Sequence, residues 1–116
     1  AKSVRGSKIL ILGVAYKRDV SDVRESPALD IVGLLMRKGA VISYADPYVP
    51  HMSVLGETFT AYDLAKGVAD FDCVVVITDH SGIDYGNVLS QASLVFDARN
   101  ATANLKLPES CTVWKL

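Results

Sequence analysis

Lys17, Arg18 and Arg24 crowd a polar stretch between an apolar run, Ile9 to Val14, and a helix start at Ser26-Pro27. The run reads as a buried strand. Ser26 is a good N-cap and Pro27 suits the first helical position. The loop between them is about ten residues long, where strand-to-helix loops usually take about two to six. A long cationic loop feeding a helix N-terminus suits a phosphate or carboxylate, because free backbone N–H groups and the helix dipole add to the side-chain charge. The chemistry indicated is anion binding, most simply of a nucleotide. Arg99 follows another apolar run and is a second anion-binding candidate from far along the chain. Tyr16 offers either a ring against a base or sugar or a packing anchor at the strand end. Arg18 and Arg24 have acidic neighbours, Asp19, Asp22 and Glu25, with which surface pairs can form.

The chain assembles no catalytic constellation. Asp79-His80-Ser81 are adjacent, whereas the groups of a triad converge from separate segments, so this tripeptide reads as a polar turn after a strand. Cys73 opens an apolar run as a buried core thiol, and the neighbouring Asp72 disfavours its thiolate. His51 and His80 have no partner at metal-ligand spacing, and no metal site is expected. A complete dinucleotide site needs Gly-x-Gly-x-x-Gly after the first strand. Only Gly13 is present, and bulky Tyr16 and Lys17 occupy the loop, so the chain is not expected to hold NAD by itself. Asp46 ends the second strand, where a ribose-binding acid would sit, but it reads more simply as the first residue of a proline turn.

These residues need a scaffold, and the apolar pattern supplies one. Strands are expected at Lys8 to Ala15, Val41 to Tyr44, Phe71 to Thr78, Ser93 to Phe96 and Cys111 to Trp114, with a short edge strand at Thr58-Phe59. Helices are expected at Pro27 to Lys38, closed by Gly39, at Ala61 to Lys66 and at Asp84 to Gln91. Asp46 to Pro50 is a rigid turn and Ala101 to Ser110 a polar loop. Alternating strands and helices give an α/β, doubly wound, mostly parallel sheet flanked by helices, Rossmann-like without the glycine fingerprint. Ligands of such sheets bind outside the carboxyl ends of the strands. Tyr16, Lys17, Arg24 and Arg99 would share that end.

The 116 residues suffice for one domain, read as residues 8–116 after a linker stub of residues 1–7, and the whole as a fragment of a larger protein. Half the residues are apolar and the net charge is −1, which argues against nucleic-acid or membrane-surface binding. No apolar run approaches the roughly 18 residues that span a bilayer. Two cysteines without a visible secretory signal fit a reducing cytoplasm.

Gly13-Val14-Ala15-Tyr16-Lys17, Asp19, Asp22 and Arg24-Glu25-Ser26-Pro27-Ala28-Leu29 resemble the C-terminal, UDP-sugar-binding domain of the UDP-glucose/GDP-mannose dehydrogenase family. The resemblance runs on through Gly39-Ala40, Tyr44-Ala45-Asp46-Pro47-Tyr48-Val49-Pro50 and Phe96-Asp97-Ala98-Arg99-Asn100. It implies part of an NAD-dependent enzyme that oxidises the C6 hydroxyl of a nucleotide-sugar to a carboxylate. It further implies an N-terminal NAD-binding domain, a central helical part and a homo-oligomeric parent. By resemblance Tyr16, Lys17 and Arg99 contact the UDP-sugar, and Arg24 faces the NAD held mainly by the missing N-terminal domain. The family's catalytic cysteine and lysine lie upstream, so this chain alone is expected to bind nucleotide and oxidise nothing. Ser26 to Leu29, the Asp46 to Pro50 turn and Arg99-Asn100 look most like members acting on UDP-N-acetylhexosamines, with UDP-glucose the alternative sugar and a role in surface polysaccharide synthesis. A stand-alone, non-catalytic nucleotide-binding module is the rival reading.

Overall fold

Five parallel strands form the centre: β1 (Lys8–Leu12), β2 (Val41–Ala45), β5 (Cys73–Val76), β6 (Leu94–Asp97) and β7 (Thr112–Lys115), in the order β2-β1-β5-β6-β7. They belong to a computed structural model that describes residues 4–15, 23 and 26–115. α1 (Pro27–Arg37) links β1 to β2, and α2 (Tyr85–Gln91) links β5 to β6. A separate antiparallel hairpin, β3 (His51–Val54) with β4 (Glu57–Thr60), and a 3-10 turn at Leu64–Lys66 fill the passage from β2 to β5.

The doubly wound architecture expected from the sequence is present. Alternate residues of β1 feed two cores, one on each face of the sheet. Ile9 and Ile11 pack with Ala28 and Val32 of α1, Ile42 and Tyr44 of β2, and Met52 and Val54 of the hairpin. Leu10 and Leu12 pack with Val74, Val76 and Val95 and with Val88 and Leu89 of α2. A strand buried on both faces reads as a continuous apolar run, which is why β1 was legible. Val75, Phe96 and Trp114 stand in register on the α1 side of the sheet, and Trp114 on the edge strand is 62% exposed.

Several boundaries differ from expectation, each for a local reason. β1 stops at Leu12 because Gly13 turns left-handed at φ +84°. Lys38 caps α1, with Gly39 just beyond it at φ +89°. Asp84 lies outside α2 as its N-cap, its carboxylate accepting from Asn87 N. The helix expected at Ala61 to Lys66 is only the 3-10 turn, entered from an Asp63 cap. The chain around Thr58-Phe59 pairs with β3, a strand not expected at all. Cys73 is half-buried rather than fully buried, although its thiol faces the core.

Candidate functional site

The strand order reverses between β1 and β5, so the crevice favoured for ligands opens beyond their carboxyl ends. The buried polar residues gather there. Apart from Ser7, every polar residue buried among the described residues (Ser26, Asp46, Thr78, His80, Asp97 and Thr102) lies at or just past that end of an element, or caps the helix that starts there. Burying polar groups costs free energy unless each finds a partner, so a cluster at one end of a sheet signals a built feature.

Asp46 is its centre. Its Oδ2 accepts from Val14 N at 2.8 Å and Ala15 N at 3.1 Å. His80 Nε2 lies 2.8 Å from the same oxygen, with both side chains fully buried. A carboxylate only accepts, so His80 Nε2 is the donor of this third bond. Oδ1 accepts from Tyr48 N at 2.8 Å, which closes the proline turn. One carboxylate thus joins the ends of β1, β2 and β5.

The Ala15 carbonyl is held as well. It accepts from Thr78 Oγ1 at 2.7 Å and from Ser26 Oγ at 3.5 Å, while Ser26 Oγ caps α1 by accepting from Ala28 N. Ala15 and Ser26, 11 residues apart, thus meet beside the β5 exit. Tyr16, Lys17 and Arg24 lie outside the described residues.

Arg99 is brought to the same end. Asp97, at the close of β6, accepts from Arg99 N, Ala101 N, Thr102 N and Thr102 Oγ1 at 2.7 to 3.1 Å. Burial would raise the Asp97 carboxyl, but the bonds from Thr102, Ala101 and Arg99 outweigh it and hold it below the usual range. This collar shapes the turn in which Asn100 adopts φ +59°. The Arg99 side chain stays half exposed, with Nε 3.8 Å from Asp79 on the β5 exit. At that distance the contact is a long one, between an exposed guanidinium and a mostly buried carboxylate.

The groups that a Rossmann-type dinucleotide site would use at this end of the sheet have internal partners. The Val14 and Ala15 N–H groups, which follow the first strand where a phosphate would sit, are bonded to Asp46. Asp46, placed where a ribose-binding acid would be, has both oxygens engaged internally. Sequence reasoning took Asp46 as a turn residue and His80 as part of a polar turn, and missed that they bond each other. Among the described residues no group of three or more His, Cys, Asp or Glu is placed to hold a metal, and no helix is long and apolar enough to cross a membrane.

A five-stranded parallel sheet with a helix on each face and buried polar residues collected at its switch point defines a doubly wound α/β domain. Residues 10–104 match the model of the UDP-glucose/GDP-mannose dehydrogenase family, UDP binding domain, and the chain belongs to that family. It is 40% identical over 80 residues to UDP-glucose 6-dehydrogenase TuaD of Bacillus subtilis, a match covering 66% of this chain and 17% of TuaD. It is 36% identical over 102 residues to UDP-glucose 6-dehydrogenase 3 of Oryza sativa, covering 88% and 19%. Among solved structures it resembles the UDP-N-acetyl-mannosamine dehydrogenase Cap5O of S. aureus, with 28% identity, a TM-score of 0.71, and 95% of this chain against 26% of that one. It also resembles the UDP-D-ManNAc dehydrogenase of Pyrococcus horikoshii, with 25% identity and a TM-score of 0.75 over 97% and 26%. The chain thus spans under a fifth of these two sequence relatives and about a quarter of these two structures.

Proposed function

We propose that this chain is the UDP-sugar-binding domain, residues 8–116, of an NAD-dependent nucleotide-sugar 6-dehydrogenase that oxidises the C6 hydroxyl to a carboxylate. The observation that carries the reading is the convergence of two cationic segments. The Ala15 carbonyl, one residue before Tyr16-Lys17, is bonded to Thr78 on the β5 exit, and Arg99 reaches Asp79 on that same exit. In this reading Lys17 and Arg99 balance the diphosphate charge, and Tyr16 shapes the pocket beside the sugar or base. Arg24 faces the cofactor. NAD, the hydride acceptor, is held mainly by an N-terminal domain outside this chain, in keeping with the engaged Val14, Ala15 and Asp46 groups.

The sugar proposed is a UDP-N-acetylhexosamine, and the product a precursor of surface polysaccharide made in the cytoplasm by a homo-oligomeric enzyme. UDP-glucose is the second reading, favoured by the 40% identity with TuaD. Calorimetric titration with UDP tests the site: wild-type chain binds, and Lys17→Ala and Arg99→Ala each weaken binding by about tenfold, the scale of one charge-assisted hydrogen bond. Equal affinity in all three proteins would remove these cations from the site.

A further inference from the structure

We propose that Asp46 and His80 are positioning residues for the nucleotide-sugar site, fixing the direction in which the chain leaves β1 for Tyr16 and Lys17. The inference rests on the binding function proposed above and deepens it.

The geometry carries it. The Ala15 peptide N–H and carbonyl, the last polar groups before Tyr16, are both clamped, one by Asp46 and the other by Thr78. Val14 N is held by the same Asp46 oxygen. His80, 1% exposed, bonds that oxygen from the β5 exit, and Tyr48 both donates its N–H to the other oxygen and lays its ring 4.8 Å from the His80 ring. The carboxylate therefore cannot rotate without breaking bonds to three segments. A buried acid–imidazole pair is a poor way to gain stability, since apolar side chains of similar volume avoid the desolvation cost. What it supplies is direction. Each bond specifies the orientation of the Val14-Ala15 peptides, and an error of about 1 Å in a binding group carried on them is enough to cost up to about a hundredfold in function. Neither residue contacts the ligand in this account; both act through the loop.

Three chains carrying His80→Phe, His80→Gln and the pair His80→Phe with Lys17→Ala separate positioning from bulk stability. UDP affinity is measured by calorimetry alongside the urea midpoint. His80→Phe is expected to weaken UDP binding by about tenfold, and His80→Gln, which keeps an N–H for Asp46, to recover most of it. In the double variant the two losses overlap: removing a side chain that is already misplaced adds little, so the combined loss stays well below their product. A purely structural role makes the losses multiply, and that result overturns the proposal, as does unchanged affinity in His80→Phe. If His80→Phe does not fold, isosteric Thr78→Val removes the other clamp on Ala15 and carries the same expectations, with a loss of about threefold. Wild-type chain that fails to bind UDP refutes the binding function itself, a different outcome from wild-type and variants that bind equally.

Discussion

A Cβ placed on Gly13 would lie 2.0 Å from the carbonyl oxygen of Thr78. The backbones leaving β1 and β5 touch there, at the switch point, and Gly13 also holds φ +84°. Gly13→Ala is therefore expected to destabilise the domain by about 3 kcal/mol or more, the sum of left-handed strain and overpacking. Urea unfolding of the two chains checks it. A change below about 1 kcal/mol would mean that the two loops separate easily, and the account of a rigid crevice would fail.

Asp97 should make the domain acid-sensitive. Its folded-state carboxyl lies below the unfolded value, so the stability it contributes is complete above the ordinary carboxylate pKa of about 3.9. That contribution is lost as the pH falls through the lower folded value. Asp97→Asn is expected to flatten the acid limb of a stability–pH curve and to cost about 1–3 kcal/mol at pH 7, because two of the four donors then face an amide NH2 instead of an oxygen. Calorimetric melting from pH 2 to 7 measures both.

Tyr44 should titrate late. Burial first, and the Asp46 charge second, push its hydroxyl up to about 12, and it donates to Val49 O at 2.7 Å. The unfolded chain releases this proton near pH 10, so the contribution of Tyr44 is present below that value and fades as the pH rises towards 12. Ultraviolet titration of wild type and Tyr44→Phe should coincide up to about pH 11 and diverge only above it. Divergence near pH 10 would show an accessible hydroxyl.

The two free thiols should react slowly. Burial, then the Asp72 charge, raises Cys73, and burial raises Cys111. Both are less ionised at neutral pH than a free cysteine, so alkylation of the native chain is expected to lag that of the urea-unfolded chain by at least about tenfold. Equal rates would argue against the packing of Cys73 beside the α1 core and Cys111 beside the α2 core.

Much of the scaffold was legible because single-segment signals carry it. Ile9 to Leu12 and Val74 to Val76 are unbroken apolar runs, and Ser26-Pro27 and Asp84 mark helix starts through local capping. The hairpin was hidden by its turn. Leu55 at φ +52° precedes Gly56 at φ +78°, a conformation for which Asn or Asp would have been the sign. The binding end was only half legible. Charge and position singled out Lys17 and Arg99, and the structure places Arg99 at the carboxyl end of β6 beside the β5 exit. The Asp46–His80 bond joins residues 34 apart in sequence, and no local pattern encodes it. The one available hint was that each follows an apolar strand that pairs with β1.

The central claim is that this domain recognises the uridine nucleotide and leaves NAD to another part of the enzyme. The most direct test is an amide NMR titration of the chain with UDP, UDP-glucose, UDP-N-acetylglucosamine and NAD. The account predicts saturable shifts with the three uridine compounds at Lys17, Arg99 and their neighbours Val14, Ala15 and Asp79, and little response to NAD. Shifts with NAD that exceed those with UDP, or no response to any uridine compound, would contradict it.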